Sequence, residues 1–259
     1  MGKLDSFKRR PLGVRQVDYK TDASRLLLAP LGDVHLGALT CEVDKFQKAV
    51  DWIEKTDCKV ILMGDLMEFA TKTSVGAGWV EQVQSPQAQL DVLKEVLFPI
   101  KDKVLVLLEG NHEQRCTLTT GLDVSKILAD SLGIPYGGYS SFVYLRVGKQ
   151  NYVVHAQHGC SGARYLRTKM HAAMKTAEHT EADLYLYGHT HELASASQPF
   201  QHYNKRGRFV EMKKKYFVLT GGFLGYFGGY AEKKSLNPSP TGMANVKFYG
   251  DRFDIHVSV

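Results

Sequence analysis

Nine residues of this chain could bind metal and move a proton between them: Asp33, His35, Asp65, Asn111, His112, Glu113, His158, His189 and His191. They fall in five short stretches: Gly32-Asp33-Val34-His35, Gly64-Asp65, Gly110-Asn111-His112-Glu113, His158-Gly159 and Gly188-His189-Thr190-His191. Asp33, His35, Asp65, Asn111, His158, His189 and His191 offer oxygen and imidazole nitrogen with no thiolate. That mixture suits Mn²⁺, Fe, Zn²⁺, Co²⁺ or Ni²⁺ better than an all-oxygen Ca²⁺ or Mg²⁺ cage. Seven donors are too many for one closed tetrahedral site, but they can serve two ions that share a carboxylate. Two ions roughly 3.5–4 Å apart stabilise the attacking and leaving oxygens of an in-line displacement at phosphorus. They also supply hydroxide near neutral pH, so no side-chain nucleophile is required.

Each stretch ends an apolar run: Leu26-Leu27-Leu28, Val60-Ile61-Leu62-Met63, Val104 to Leu108, Tyr152-Val153-Val154 and Leu184 to Tyr187. Such runs read as buried strands. Open α/β sheets place their sites beyond the carboxyl ends of strands. A glycine stands just before Asp65, Asn111 and His189, and as Gly32 before Asp33, where a strand must turn sharply out of the sheet.

Between the runs lie helical patterns. Phe46, Ala49, Val50 and Ile53 share one face, and Ser85-Pro86 opens a second helix carrying Leu90, Leu93 and Leu97. Strand, helix, strand, helix, strand implies two right-handed βαβ units. Thr120-Gly121-Leu122-Asp123 offers a cap for a helix over 122–132. Beyond it, residues 142–147 and 151–155 flank Gly148-Lys149-Gln150 as a hairpin with a three-residue loop. Helix is expected over 164–179, strands over 183–187 and 215–220, and a terminal hairpin over 245–258. The order of elements predicts an α/β fold, a four-layer α/β/β/α sandwich of two mixed sheets flanked by helices. A basic arm is expected over 1–24, centred on Lys8-Arg9-Arg10-Pro11, with a single domain over 25–259.

The chain has 259 residues, 44% hydrophobic and 23% charged, which is ordinary globular composition. No apolar run approaches the roughly 18 residues of a membrane span, and no secretory signal is expected at the N-terminus, although Gly2 and Ser6 nominally fit a myristoylation pattern. Cys41, Cys58, Cys116 and Cys160 are scattered, which reads as reduced thiols in a cytoplasmic protein. A net charge of +6 favours anionic substrates by steering but is far from the footprint of a dedicated DNA-binding domain.

The five stretches, in this order, resemble the signature of the calcineurin-like metallophosphoesterase family over about residues 26–192. The resemblance implies a phosphoesterase with two divalent ions, manganese foremost. It implies that Asp33, His35 and His191 bind the first ion, that Asn111, His158 and His189 bind the second, and that Asp65 bridges both. His112 would protonate the leaving group or stabilise phosphoryl charge, with Glu113 orienting it. Arg115 and Arg164 are candidates for the substrate phosphate, against the plainer reading of exposed surface arginines. His155 reads as a packed histidine, and His171, His179, His202 and His256 as surface or packing residues.

The expected function is hydrolysis of a phosphodiester or phosphomonoester by metal-activated water, on nucleotide or nucleic-acid substrates. The alternatives are a DNA nuclease of the repair-nuclease type and a catalytically silent binding module. Phosphoprotein specificity is disfavoured, because Gly64-Asp65-Leu66-Met67-Glu68-Phe69-Ala70 lacks the arginine that protein phosphatases of the family carry there. Specificity is expected in loops over 69–80, 113–121, 159–168 and 195–214. Lys205-Arg206-Gly207-Arg208 and Lys213-Lys214-Lys215 form either a solvated loop or a phosphate-backbone contact surface. Gly221 to Tyr230 either walls the substrate pocket, with Tyr226 or Tyr230 stacking a base, or packs as a plain loop.

Overall fold

A computed structural model describes residues 13–72, 74, 80 and 82–259. The chain alternates strands and helices: β1 (Gln16–Thr21), β2 (Arg25–Leu31), α1 (Val43–Lys55), β3 (Cys58–Leu62), α2 (Pro86–Leu97), β4 (Val104–Leu108), α3 (Asn111–Thr120) and α4 (Val124–Leu132). There follow β5 (Tyr136–Gly138), β6 (Ser140–Val147), β7 (Gln150–Gln157), α5 (Leu166–Lys175), β8 (Leu184–Tyr187), β9 (Leu193–Asn204) and β10 (Phe209–Gly222). Short strands β11 (Gly242–Met243), β12 (Asn245–Tyr249) and β13 (Ile255–Ser258) close it.

The first sheet runs β13-β12-β2-β3-β4-β5, with β2, β3, β4 and β5 parallel and β12 antiparallel to β2. Its central strands are largely apolar because both faces are covered, and β4 is buried along its whole length. Phe46, Val50 and Ile53 of α1, Leu93 and Leu97 of α2 and Leu128 of α4 pack on its outer face. Ser85 caps α2, accepting from the Ala88 N–H, with Pro86 in the first turn.

The second sheet runs β1-β6-β7-β8-β10, with β9 and β11 also on β10. Leu28, Ile61 and Val106 of the first sheet meet Val143, Val154, Leu186 and Val218 of the second in one apolar layer. Ala173 and Met170 of α5 cover the far face over Tyr187, Leu219 and Phe217. Two mixed sheets face to face, each backed by helices, form the expected four-layer sandwich. None of its described helices is long and apolar enough to cross a membrane.

Several local expectations are corrected. The expected arm is shorter than residues 1–24: Gln16–Thr21 pairs in parallel with β6, from Gln16 opposite Phe142 to Thr21 opposite Val147. Val17 and Tyr19 alternate with polar neighbours and pack against the inter-sheet core, a period-two pattern that marks a strand. Lys8 to Pro11 lies outside the described residues, as does part of the loop 69–80. The β6–β7 turn has two residues, because Val147 pairs directly with Gln150. Within Thr120-Gly121-Leu122-Asp123 it is Asp123 that caps α4, accepting from the Lys126 N–H at 2.8 Å, so the helix begins at Val124. Residues 113–120 belong to α3, and most of 195–214 is the β9–β10 hairpin.

His155 illustrates the packing on β7. Its ring lies 4.8 Å from Phe142 and near Tyr185, on the face turned to α5 rather than to the site. Burial, helped by the charge of His179, lowers its pKa from 6.5 to about 4. The unfolded chain therefore takes up this proton first as pH falls, so the stability contribution is full above about 6.5 and is lost towards about 4. In urea titrations across that window, His155→Phe should lose less stability than the parent as pH falls, with no difference in slope above it.

Candidate metal centre

The metal-competent side chains gather beyond the carboxyl ends of β2, β3, β7 and β8 and at the start of α3. The β2–β3 ladder continues past both strands: Asp33, His35 and Leu36 N–H groups donate to the carbonyls of Gly64, Asp65 and Leu66. This holds two loops side by side while each turns its side chains inward. Asp33, His35, Asp65, His189 and His191 all have φ between 48° and 65°. Left-handed backbone is uncommon for residues other than glycine and collects where the surrounding structure enforces it. The glycines serve chiefly by yielding space. A Cβ on Gly110 would collide with the Asp65 backbone nitrogen and Oδ1, and one on Gly64 (φ 87°) would come within 2.6 Å of the Gly110 nitrogen.

Donor atoms converge in two groups that share one oxygen. In the first, His191 Nε2 lies 3.4 Å from Asp33 Oδ1 and 3.1 Å from His35 Nε2. In the second, His158 Nε2 lies 3.0 Å from Asn111 Oδ1, itself 2.7 Å from His189 Nδ1. Asp65 Oδ2 stands between them, 3.7 Å from His35 Nε2 and 3.3 Å from His158 Nε2. Metal–ligand bonds of about 2.1 Å leave neighbouring donors roughly 3.0–3.4 Å apart, and most of these spacings are compatible with ligands to a common ion.

The chemistry of the donors makes the same demand. His158 Nδ1 donates to the Met63 carbonyl at 2.9 Å, which aims its other nitrogen at Asp65 and Asn111. His35 Nδ1 donates to Glu68 Oε2 at 3.1 Å and likewise turns Nε2 inward. A second ring partner of this kind fixes the tautomer of a metal-ligating histidine. The inward nitrogens and oxygens could then serve together as ligands to a cation. Without metal, His158 carries the positive charge: burial opposes its charged form, but Asp65 and Asp33 outweigh burial and raise its pKa to about 10. His35, His189 and His191 are held below the usual histidine range, by burial first and then by neighbouring imidazoles. Burial and the charge of Asp65 push Asp33 up, against His158. Burial acts on Asp65 too, but His158 and His112 overcome it and hold Asp65 low. Metal uptake must therefore displace protons.

Among the proton-moving candidates the structure divides the expectations. His112 opens α3; its N–H donates to Asp65 Oδ1 at 2.8 Å, where the helix terminus also favours a negative charge. Its ring stands edge-on to His35, 4.2 Å between centroids. Burial opposes its charge, yet Asp65 and Glu68 raise its pKa overall. Glu113 does not orient it. The Glu113 carboxylate accepts from the Asp65 and Met67 N–H groups, each at 3.0 Å, and so clamps the Asp65 loop from beneath.

The carboxylate beside His112 is Glu68, which the motifs did not point to. Its Oε2 lies 3.2 Å from His112 Nδ1 while also accepting from His35. Burial would raise its pKa, but His112 and His35 drive it well below the usual range. Its only sequence signal is a lone acid in the otherwise apolar run Leu66-Met67-Glu68-Phe69.

Arg115 comes to the site. Its guanidinium nitrogens lie 3.0 and 2.9 Å from the two ring nitrogens of His112, and Glu68 Oε1 is 3.6 Å away. Arg164 is exposed on the loop before α5 and makes no hydrogen bond or ion pair among the described residues. Tyr226 lines an open cavity of about 520 Å³ with Leu39, Thr40, Glu42 and Phe227, on the loops that follow His35 and β10. The Tyr230 side chain lies outside the described residues.

A family model described as calcineurin-like phosphoesterase matches residues 28–193, more than half of the chain. No curated protein sequence matches. Among solved structures, a metallophosphoesterase from Sphaerobacter thermophilus is 13% identical, with a TM-score of 0.41, over 90% of this chain and 89% of its own. A conserved uncharacterized protein from Streptococcus pneumoniae TIGR4, a predicted phosphoesterase, is 14% identical, with a TM-score of 0.37, over 90% and 88%. At such identity and TM-score neither neighbour bears on what this chain does.

Two outcomes test the centre. Saturating EDTA-treated protein with Mn²⁺ at a hundredfold excess over Kd should add about 2.7 kcal/mol of stability. In a melting experiment that is a Tm gain of roughly 5–10 °C. Glu68→Ala, which leaves His35 without its ring partner, should weaken Mn²⁺ binding by about 10–100-fold in calorimetric titration.

Proposed function

The chain belongs to the calcineurin-like phosphoesterase family and is a metal-dependent hydrolase of phosphoric esters; we propose that it works through a pair of divalent ions. Asp33, His35 and His191 would hold one ion, Asn111, His158 and His189 would hold the other, and Asp65 would serve both. The observation that carries this reading is Asp65 Oδ2, within 3.7 Å of a donor from each group. Manganese suits the mixed oxygen and nitrogen donors, with iron, zinc, cobalt and nickel as the other candidates. When bound, such ions supply Lewis acidity towards phosphoryl oxygens and a water that ionises near neutral pH.

The residues around them divide the remaining work. His112 holds a proton on the open side of the site, favoured there by Asp65 and Glu68, and gives it to the leaving oxygen. Arg115, held by Glu68 beside His112, meets a phosphoryl oxygen. Glu113 acts as a positioning residue, keeping Asp65 in its left-handed conformation through the two N–H groups it accepts from. Nucleotides or nucleic-acid ends are the proposed substrates, in keeping with a net charge of +6. Four free cysteines suit a reducing compartment, so a cytoplasmic site of action is proposed with it.

The direct test compares Mn²⁺-supported hydrolysis of an aryl phosphomonoester and an aryl phosphodiester, with EDTA-treated protein as control. Activity should depend on metal, and the preferred ester assigns the substrate class. Asp65→Asn should weaken both ions and abolish turnover. His112→Ala should keep the metal, by calorimetry, while losing about 10²–10⁴-fold in rate. Full activity in either variant, or activity indifferent to EDTA, would overturn the proposal.

A further inference from the structure

The basic segment after the metal motifs does not lie at the metal centre. Strands β9 and β10 pair from Leu193 opposite Thr220 out to Asn204 opposite Phe209, whereas β8 accompanies β10 only over Tyr216–Leu219. The outer half of this hairpin is therefore a two-stranded ribbon. Its direction is set by β8. β10 runs parallel to β8, whose carboxyl end carries Gly188-His189, so Thr220–Gly222 is the metal end of β10 and the hairpin tip is the opposite end. At about 3.3 Å per residue, the tip lies roughly 40 Å along the ribbon from the centre. Residues 205–215 thus do not wall the substrate site.

The tip is built to project cations. The Asn204 carbonyl accepts from the Arg208 N–H at 2.7 Å, and its side-chain oxygen accepts from the Gly207 N–H at 2.9 Å. Arg208 takes a φ of 55° to close the turn. Lys205, Arg206 and Arg208 point into solvent, and none of them makes an ion pair among the described residues. Lys213, Lys214 and Lys215 follow, against Glu211 as the one acid of 198–215.

Between the cations the ribbon exposes apolar surface that none of the described residues covers. Tyr203 is directly opposite Val210, and Met212 is the next residue of β10 on that face. Their exposures are 56%, 61% and 65%. Phe209, on the other face beside Gly207, is 49% exposed. A nucleic-acid duplex would meet the cations but keep its bases stacked inside, leaving Tyr203 and Phe209 idle. A single strand offers phosphates and unstacked bases together, and aromatic side chains interleaved with cations are what such a strand binds.

We propose that the outer β9–β10 ribbon is a docking arm for single-stranded nucleic acid, remote from the metal centre. The inference goes beyond the proposed hydrolysis and does not depend on it. The test uses the full chain in EDTA, with a fluorescent oligothymidylate of about 20 nucleotides followed by anisotropy across a salt series. Replacing Lys205, Arg206 and Arg208 by alanine together should weaken binding by roughly tenfold or more and lower the log–log salt slope by about 2, at ~0.7 per phosphate lost. Tyr203→Ala should weaken binding at every salt concentration and leave the slope unchanged. Both variants should keep the parent's Tm and, with Mn²⁺ restored, its rate on aryl phosphates. Absent oligothymidylate binding, unaltered binding in both variants, or tighter binding of a duplex of equal length would overturn the docking arm. Failure of the parent to hydrolyse any aryl ester would count against the metal-centre reading alone.

Discussion

One buried carboxylate sets the terms for the rest of this molecule. Asp65 is shut away from water, and imidazole nitrogens from β2 and β7 extensions face its Oδ2. A charge in that position is costly unless paired and hydrogen-bonded. The fold meets the hydrogen-bonding need with the His112 N–H of α3 and meets the charge with His158. The donors that remain around it form groups that could hold a metal ion. The same arrangement, with burial, holds His35, His189 and His191 below the usual histidine range, since a proton on any of them would sit beside other imidazoles.

Holding five donor residues in left-handed backbone is the second constraint. Each of these conformations costs free energy, of order 1–3 kcal/mol where the region is sparsely populated. They persist because neighbouring elements remove the alternatives. The extended β2–β3 ladder fixes Asp33 and His35, the Glu113 carboxylate fixes the Asp65 turn, and the His189 N–H is captured by both oxygens of Asp33. The inner residues that carry no chemistry are thus as necessary to the centre as the donors.

The second sheet separates two kinds of surface at opposite ends of its strands. At the carboxyl ends of β7 and β8 it contributes histidines to a compact polar centre. At the other end it runs out into a ribbon that is cationic and partly apolar. These regions are neighbours in sequence, Glu192 alone standing between His191 and the start of β9. They are distant in space because a hairpin must travel its own length before it returns.

Much of this was legible in the chain itself. Apolar runs ending on glycine and a donor residue are local signals, and buried strands with sites at their carboxyl ends follow from them. The helix faces over 44–53 and 86–97, the parallel order of β2, β3 and β4 and the inward histidines were all legible in that way. β1 was not read from the chain, because the basic composition around Val17 and Tyr19 masked their alternation. Other features depended on distance and direction that spacing along the chain does not carry. Glu68 and Glu113 are each within a few residues of a motif, yet only the packed loops decide that Glu68 meets the rings and Glu113 the backbone. The basic residues after His191 read either as a solvated loop or as a phosphate-contact surface, with no sign of their distance from the metal motifs. The pairing of β10 with β8 turned them away, because a strand parallel to β8 has its beginning, and therefore the hairpin tip, at the end of the sheet remote from the metal centre.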